Sequence, residues 1–197
     1  MKKERLVAFT DAVLAIIMTI LVLELEKPED ISFEGFWALR SNLFAYMLSF
    51  FWIGSLWIAL NSIWENVERV SGVVAWWNVI FLFFTSFLPY ATGLVSNNFY
   101  DREAQAFYGI VVIAASTSNW ILNKLIDRPN SDNPKLLMAT KGYRMALLPD
   151  ILLKVVSLIL ALTVYPPIMM YGVLFCCGYF QIAKAIIYRR QKKKSQV

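Results

Sequence analysis

Six long apolar runs leave this chain few ways to fold. They cover about residues 6–25, 36–63, 73–95, 104–126, 147–164 and 167–188. Each is long enough, or nearly so, to cross a bilayer as a helix rising about 1.5 Å per residue. Backbone in lipid must satisfy its own hydrogen bonds, so such runs become helices, and the period-two alternation of a membrane barrel is absent. The expected fold is an all-α integral membrane protein, with residues 1–197 forming a single six-helix transmembrane domain. Composition agrees, at 58% hydrophobic and 17% charged, where soluble domains carry about 45–50% and about 25%.

The runs are punctuated by turn chemistry. The first ends at Glu24-Leu25-Glu26-Lys27-Pro28. The second, rich in Phe and Trp, is expected to continue as a more polar helix, Asn61 to Arg69, beyond the hydrocarbon. Pro89 is expected to kink the third. The stretch Asp127 to Pro134 reads as a loop, and Tyr165-Pro166-Pro167 as a tight turn. Lys2, Lys3 and Arg5 before an apolar run imitate a signal peptide, but no small-x-small cleavage site follows, so the first run is read as a true span.

Positive charge sets the orientation. With both termini in the cytoplasm, the inside regions hold Lys2, Lys3, Arg5, Arg69, Lys124, Arg128, Lys135, Lys141, Arg144 and the tail residues Arg189, Arg190, Lys192, Lys193 and Lys194. Lys27, Arg40 and Arg102 fall outside. Trp37, Trp64, Trp76, Trp77 and Tyr100 suit interfacial belts. A basic block directly after an apolar span anchors to anionic lipid rather than to nucleic acid. The expected location is the cell membrane, crossed several times. Adjacent Cys176 and Cys177 show no metal-ligand spacing and read as small packing residues.

Enzyme chemistry has little to stand on. Histidine is absent, which removes the commonest general base and metal ligand, and no phosphate loop or nucleophile elbow is present. No cofactor is expected. Glu24, Glu26, Glu29, Asp30 and Glu34 read as a solvated, cation-attracting loop. Asp150 and Lys154, spaced i,i+4, are expected to pair in the fifth helix; intramembrane charges also raise the option of an ion relay.

The first helix carries the most information. Asp11 lies at the cytoplasmic mouth of an aliphatic run, close in sequence to Arg5, and should face protein or water. Ile16, Thr19, Ile20 and Leu23 recur at helical spacing and share one face. Packing against a neighbouring helix, with Thr19 bonded to its own backbone, accounts for that face as readily as a pore does.

Arg5-x-x-x-Phe9-Thr10-Asp11-Ala12-Val13 resembles the Arg-x-x-x-Phe-Ser-Asp signature of the first helix in bacterial members of the transmembrane protein 175 family, whose animal relatives are endosomal and lysosomal potassium channels. The following Ala-Ile-x-x-Thr-x-Leu-Val-Leu run also fits. Trp77-Asn78 and Phe87-Leu88-Pro89-Tyr90-Ala91-Thr92 resemble the family's third helix. The resemblance implies a homotetramer in the lipid bilayer with a central pathway for potassium ions, lined by four first helices. Ile16, Ile20 and Leu23 would then form a hydrophobic constriction, and Thr19 a polar ring for selectivity. Arg5, Phe9, Thr10 and Asp11 would hold the first helix in place.

Two departures stand out. The family's serine is Thr10, and the histidines common after the second helix's tryptophan are absent beyond Trp57, which leaves Asn61 to tie the signature together without pH sensitivity. No Thr-Val-Gly-Tyr-Gly filter is present, so selection by a carbonyl ring is excluded, while narrow aliphatic rings can gate by dewetting. A secondary transporter and a non-transporting scaffold are the other readings; no internal repeat speaks for the former.

Overall fold

The computed structural model describes residues 2–179, and every regular element among them is helical. Helix α1 (Lys3–Ile20) tightens into a 3-10 turn, Leu21–Glu24. A short α2 (Phe33–Ala38) precedes α3 (Arg40–Trp64). Then come α4 (Gly72–Ser86), α5 (Leu88–Asn97), α6 (Arg102–Asp127), α7 (Pro134–Thr163) and α8 (Ile168–Tyr179). Five stretches are long and apolar enough to cross a membrane: Lys3–Glu24, Arg40–Trp64, Gly72–Asn97, Arg102–Asn130 and Pro134–Thr163. The expected sixth span begins as α8, and its remainder, with the basic tail, lies outside the described residues.

The helix starts follow capping chemistry. Ser32, Ser71, Asp101 and Asn133 each accept a backbone N–H three residues on, at 3.1, 3.3, 2.9 and 3.1 Å, satisfying donors the first turn leaves free. Pro134 at the first position of α7 sacrifices only an N–H that would have been free anyway. The helix thus begins well before the apolar segment at 147.

Two expected boundaries move. The second span starts at Arg40, because the chain breaks at Leu39 between α2 and α3. Its polar extension, expected to reach Arg69, stops at Trp64. Glu68 and Arg69 instead donate their backbone N–H groups to Asn130 Oδ1 at 3.1 and 2.9 Å, and Asn130 Nδ2 returns a bond to Arg69 O. A carboxamide from the α6–α7 connection supplies partners that a helix would otherwise provide. As expected of Pro89, the third span is interrupted. Pro89 has no N–H for the Thr85 carbonyl, and α4 gives way to α5 at Phe87.

Helix α6 packs against α4, α5 and α7, while α1 leans on α3 and α4. In their most apolar stretches, 56% of the residues of the α4–α5 and α6 spans are buried, against 28% for α1 and α7. The first helix is therefore peripheral among the described residues, and one of its sides has no cover from them. At Gly172 an added Cβ would stand 2.0 Å from Ser157 Oγ, so only glycine lets α8 approach α7 there.

Candidate functional site

Helix α1 has two faces. Leu6, Thr10, Leu14, Ile17 and Leu21 are buried against the bundle. Ile16, Ile20 and Leu23 are 56%, 39% and 77% exposed, and Thr19 is exposed beside them. Side chains three apart eclipse in a 3-10 turn, so the turn at Leu21–Glu24 keeps Leu23 above Ile20. The structure thus groups the four residues on one uncovered apolar side. Thr19 Oγ1 donates to Ile16 O at 2.8 Å. Its one hydroxyl proton is committed there, and toward the open side the oxygen offers only lone pairs.

Two of the signature residues, Thr10 and Asp11, bond to neighbouring helices. Thr10, buried, donates to Leu6 O and accepts from Asn78 Nδ2, both at 2.8 Å, which ties α1 to α4. Asp11 Oδ1 accepts from Trp57 Nε1 at 2.9 Å, which ties α1 to α3. The expected proximity of Arg5 to Asp11 does not become a pair. Six residues of helix leave the two about 120° apart around the axis, and Arg5 is exposed with no ion pair among the described residues. Phe9 is exposed as well, over a groove shared with Arg5, Leu6, Ala75, Trp76 and Val79. Asn61 is exposed; the side-chain bonds to Asp11 and Thr10 come instead from Trp57 and Asn78. Asn78 Oδ1 is buried without a partner.

A second polar centre lies between α3, α6, α7 and α8. Lys154 Nζ is 2.6 Å from Asp150 Oδ2 and 2.9 Å from Ser116 Oγ, and stands 5.3 Å from the centre of the Trp52 ring. The pair expected from i,i+4 spacing is thus present and deeply buried, with side chains 1% and 6% exposed. Beside it a cavity of about 20 Å³ is lined in part by Asp150, Lys154 and Cys176, enough for one water. Outside the spans, the Arg69 guanidinium hydrogen-bonds the Asp132 carboxylate and holds it below its ordinary pKa.

Membrane-length helices, a free apolar side on the first of them and polar ties behind it define a multi-pass α-helical membrane protein. The family model of the endosomal/lysosomal potassium channel TMEM175 matches residues 5–89, the stretch that contains α1, Trp57 and Asn78. A potassium channel of Chryseobacterium sp. (strain P1-3) is 37% identical over 136 residues, which cover 69% of this chain and 71% of that protein. The chain belongs to the TMEM175 family, as a relative of its bacterial members. The endosomal/lysosomal proton channel TMEM175 of Rattus norvegicus is 32% identical over 103 residues, 46% of this chain but only 21% of the rat protein. The crystal structure of a lysosomal potassium-selective channel TMEM175 homolog from Chamaesiphon minutus superposes with a TM-score of 0.66 at 22% identity, covering 95% of this chain and 97% of that one. This likeness is one of fold.

Proposed function

We propose that the protein is a potassium-permeable channel, a homotetramer in the cell membrane whose central pathway is lined by α1 of each subunit, with both termini cytoplasmic. Membership of a family whose bacterial relatives are named potassium channels supports the ion. The observation that carries the pathway is the free side of α1, where Ile16, Thr19, Ile20 and Leu23 find no cover among the described residues while Thr10 and Asp11 bond to α4 and α3. One helix cannot enclose a pore, and closed symmetry is the usual way to supply the rest. Ile16, Ile20 and Leu23 form the dry constriction, and Thr19 places a ring of oxygen lone pairs within it. Cations are favoured there over anions, and the narrow radius biases the choice among cations.

Liposome flux tests this reading. Purified protein should release potassium down its gradient without a coupled ion, and native mass spectrometry should show a tetramer. Thr19→Val, nearly the same shape without the hydroxyl, should assemble normally and change the potassium-to-sodium ratio. Flux that requires a second gradient means a transporter, no flux means a scaffold, and a stable monomer or dimer defeats the assembly.

A further inference from the structure

Glu24 has no part in the constriction, yet it lies directly beyond it in the chain and is half-buried. It ends the 3-10 turn that carries Leu23. Asn42, buried on α3, fixes the backbone that leaves it: Nδ2 donates to Glu24 O at 3.2 Å, and Oδ1 accepts from Glu26 N at 3.3 Å. Asn42 is itself braced by Ser96 at 3.0 Å. Its side chain lies against α5 at Gly93, where an added Cβ would stand 2.0 Å from Glu24 Oε2. The carboxylate occupies the space that any other residue at position 93 would fill. It closes the end of a groove of about 470 Å³ that runs along Ile16, Ile20 and Tyr90. Among the described residues no lysine or arginine pairs with it.

A seated carboxylate without a cation differs from the exposed acids that follow it in the loop. We propose that Glu24 gathers cations at the outer mouth of the pathway and thereby sets its conductance at low ionic strength. The proposal rests on the reading of α1 as the lining of that pathway. Four-fold symmetry would place four such carboxylates around the axis, one residue beyond Leu23. Charge of one sign at a low-dielectric mouth raises the local concentration of counter-ions and hence the rate of entry.

The test uses ionic strength, because screening separates field from structure. The Debye length shrinks from about 30 Å in 10 mM salt to about 3 Å in 1 M salt. Single-channel conductance of full-length Glu24→Gln in planar bilayers should fall roughly threefold or more below the native value in the dilute solution, and converge on it in the concentrated one. Glu24→Ala, which empties the cradle at Gly93 without adding bulk, gives the same comparison if the glutamine variant does not assemble. Glu26→Gln removes an equal charge from an unseated position and should lose less. An equal ratio at both salt concentrations overturns the proposal. Leu23→Ala is recorded alongside. If it raises conductance while Glu24→Gln shows no salt-dependent loss, only the role of Glu24 fails; if it changes nothing, the pathway reading and this inference fall together.

Discussion

Lys154→Met isolates the energetics of the buried ion pair. Methionine keeps most of the lysine stem, so little cavity opens and the change is chiefly electrostatic. What disappears is the 2.6 Å contact with Asp150, the 2.9 Å bond to Ser116 and the cation over Trp52. Asp150 is left 6% exposed and without its counter-charge. Stranding one partner of a buried pair costs about 3–5 kcal/mol, a large part of a typical total of about 5–15 kcal/mol. Thermal unfolding in detergent, followed by size-exclusion yield, should show a clear drop. The double variant Lys154→Met/Asp150→Leu should recover most of it, because replacing both charges with apolar groups is often neutral or better. A single variant as stable as the native protein, or a double variant as unstable as the single one, would refute the reasoning. The double variant also decides whether the pair relays ions: normal flux with both charges gone leaves it a structural tie between α6 and α7.

Thr10→Val should lower tetramer yield and cost about 1–3 kcal/mol by stranding the buried Nδ2 of Asn78, whereas Arg5→Ala should cost much less, and thermal scans of both variants check the order. Asn130→Ala removes the bonds that hold Glu68 and Arg69, so hydrogen exchange in residues 65–71 should accelerate. Since the Asp132 carboxyl is held below its ordinary pKa by Arg69, its small stabilisation is present above the ordinary aspartate range. It is lost as pH falls through the lowered value, and a pH series of Asp132→Asn should be flatter than the native series in that acid window.

Lipid made the spans legible, since it leaves helices as the only choice for long apolar runs. The faces of α1 were legible too, because a period of 3.6 maps sequence onto sides, and the Asp150–Lys154 pair followed from i,i+4 spacing alone. What stayed hidden depends on distant chain. The non-helical path of Glu68 and Arg69 is held by Asn130, more than sixty residues away, so the helix expected to reach Arg69 stops at Trp64. Asp11 finds Trp57 forty-six residues on, although helix geometry alone argues against Arg5. Asn78 was visible within a family-like patch, but its hydroxyl partner was not. Glu24 looked like one acid among five until Gly93 and Asn42 showed that it is seated.

The free side of α1 is the centre of the account, and Ile16→Asn tests it most directly. Asparagine facing lipid or a packed core carries an unpaid polar group and costs stability, whereas asparagine facing a water-filled axis does not. Tetramer yield and potassium flux per tetramer should be measured on the same preparation. The account predicts a normal yield and a raised flux, as a dry neck becomes hydrated. A reduced yield with unchanged flux per surviving tetramer would contradict it and make this side of α1 a packing surface.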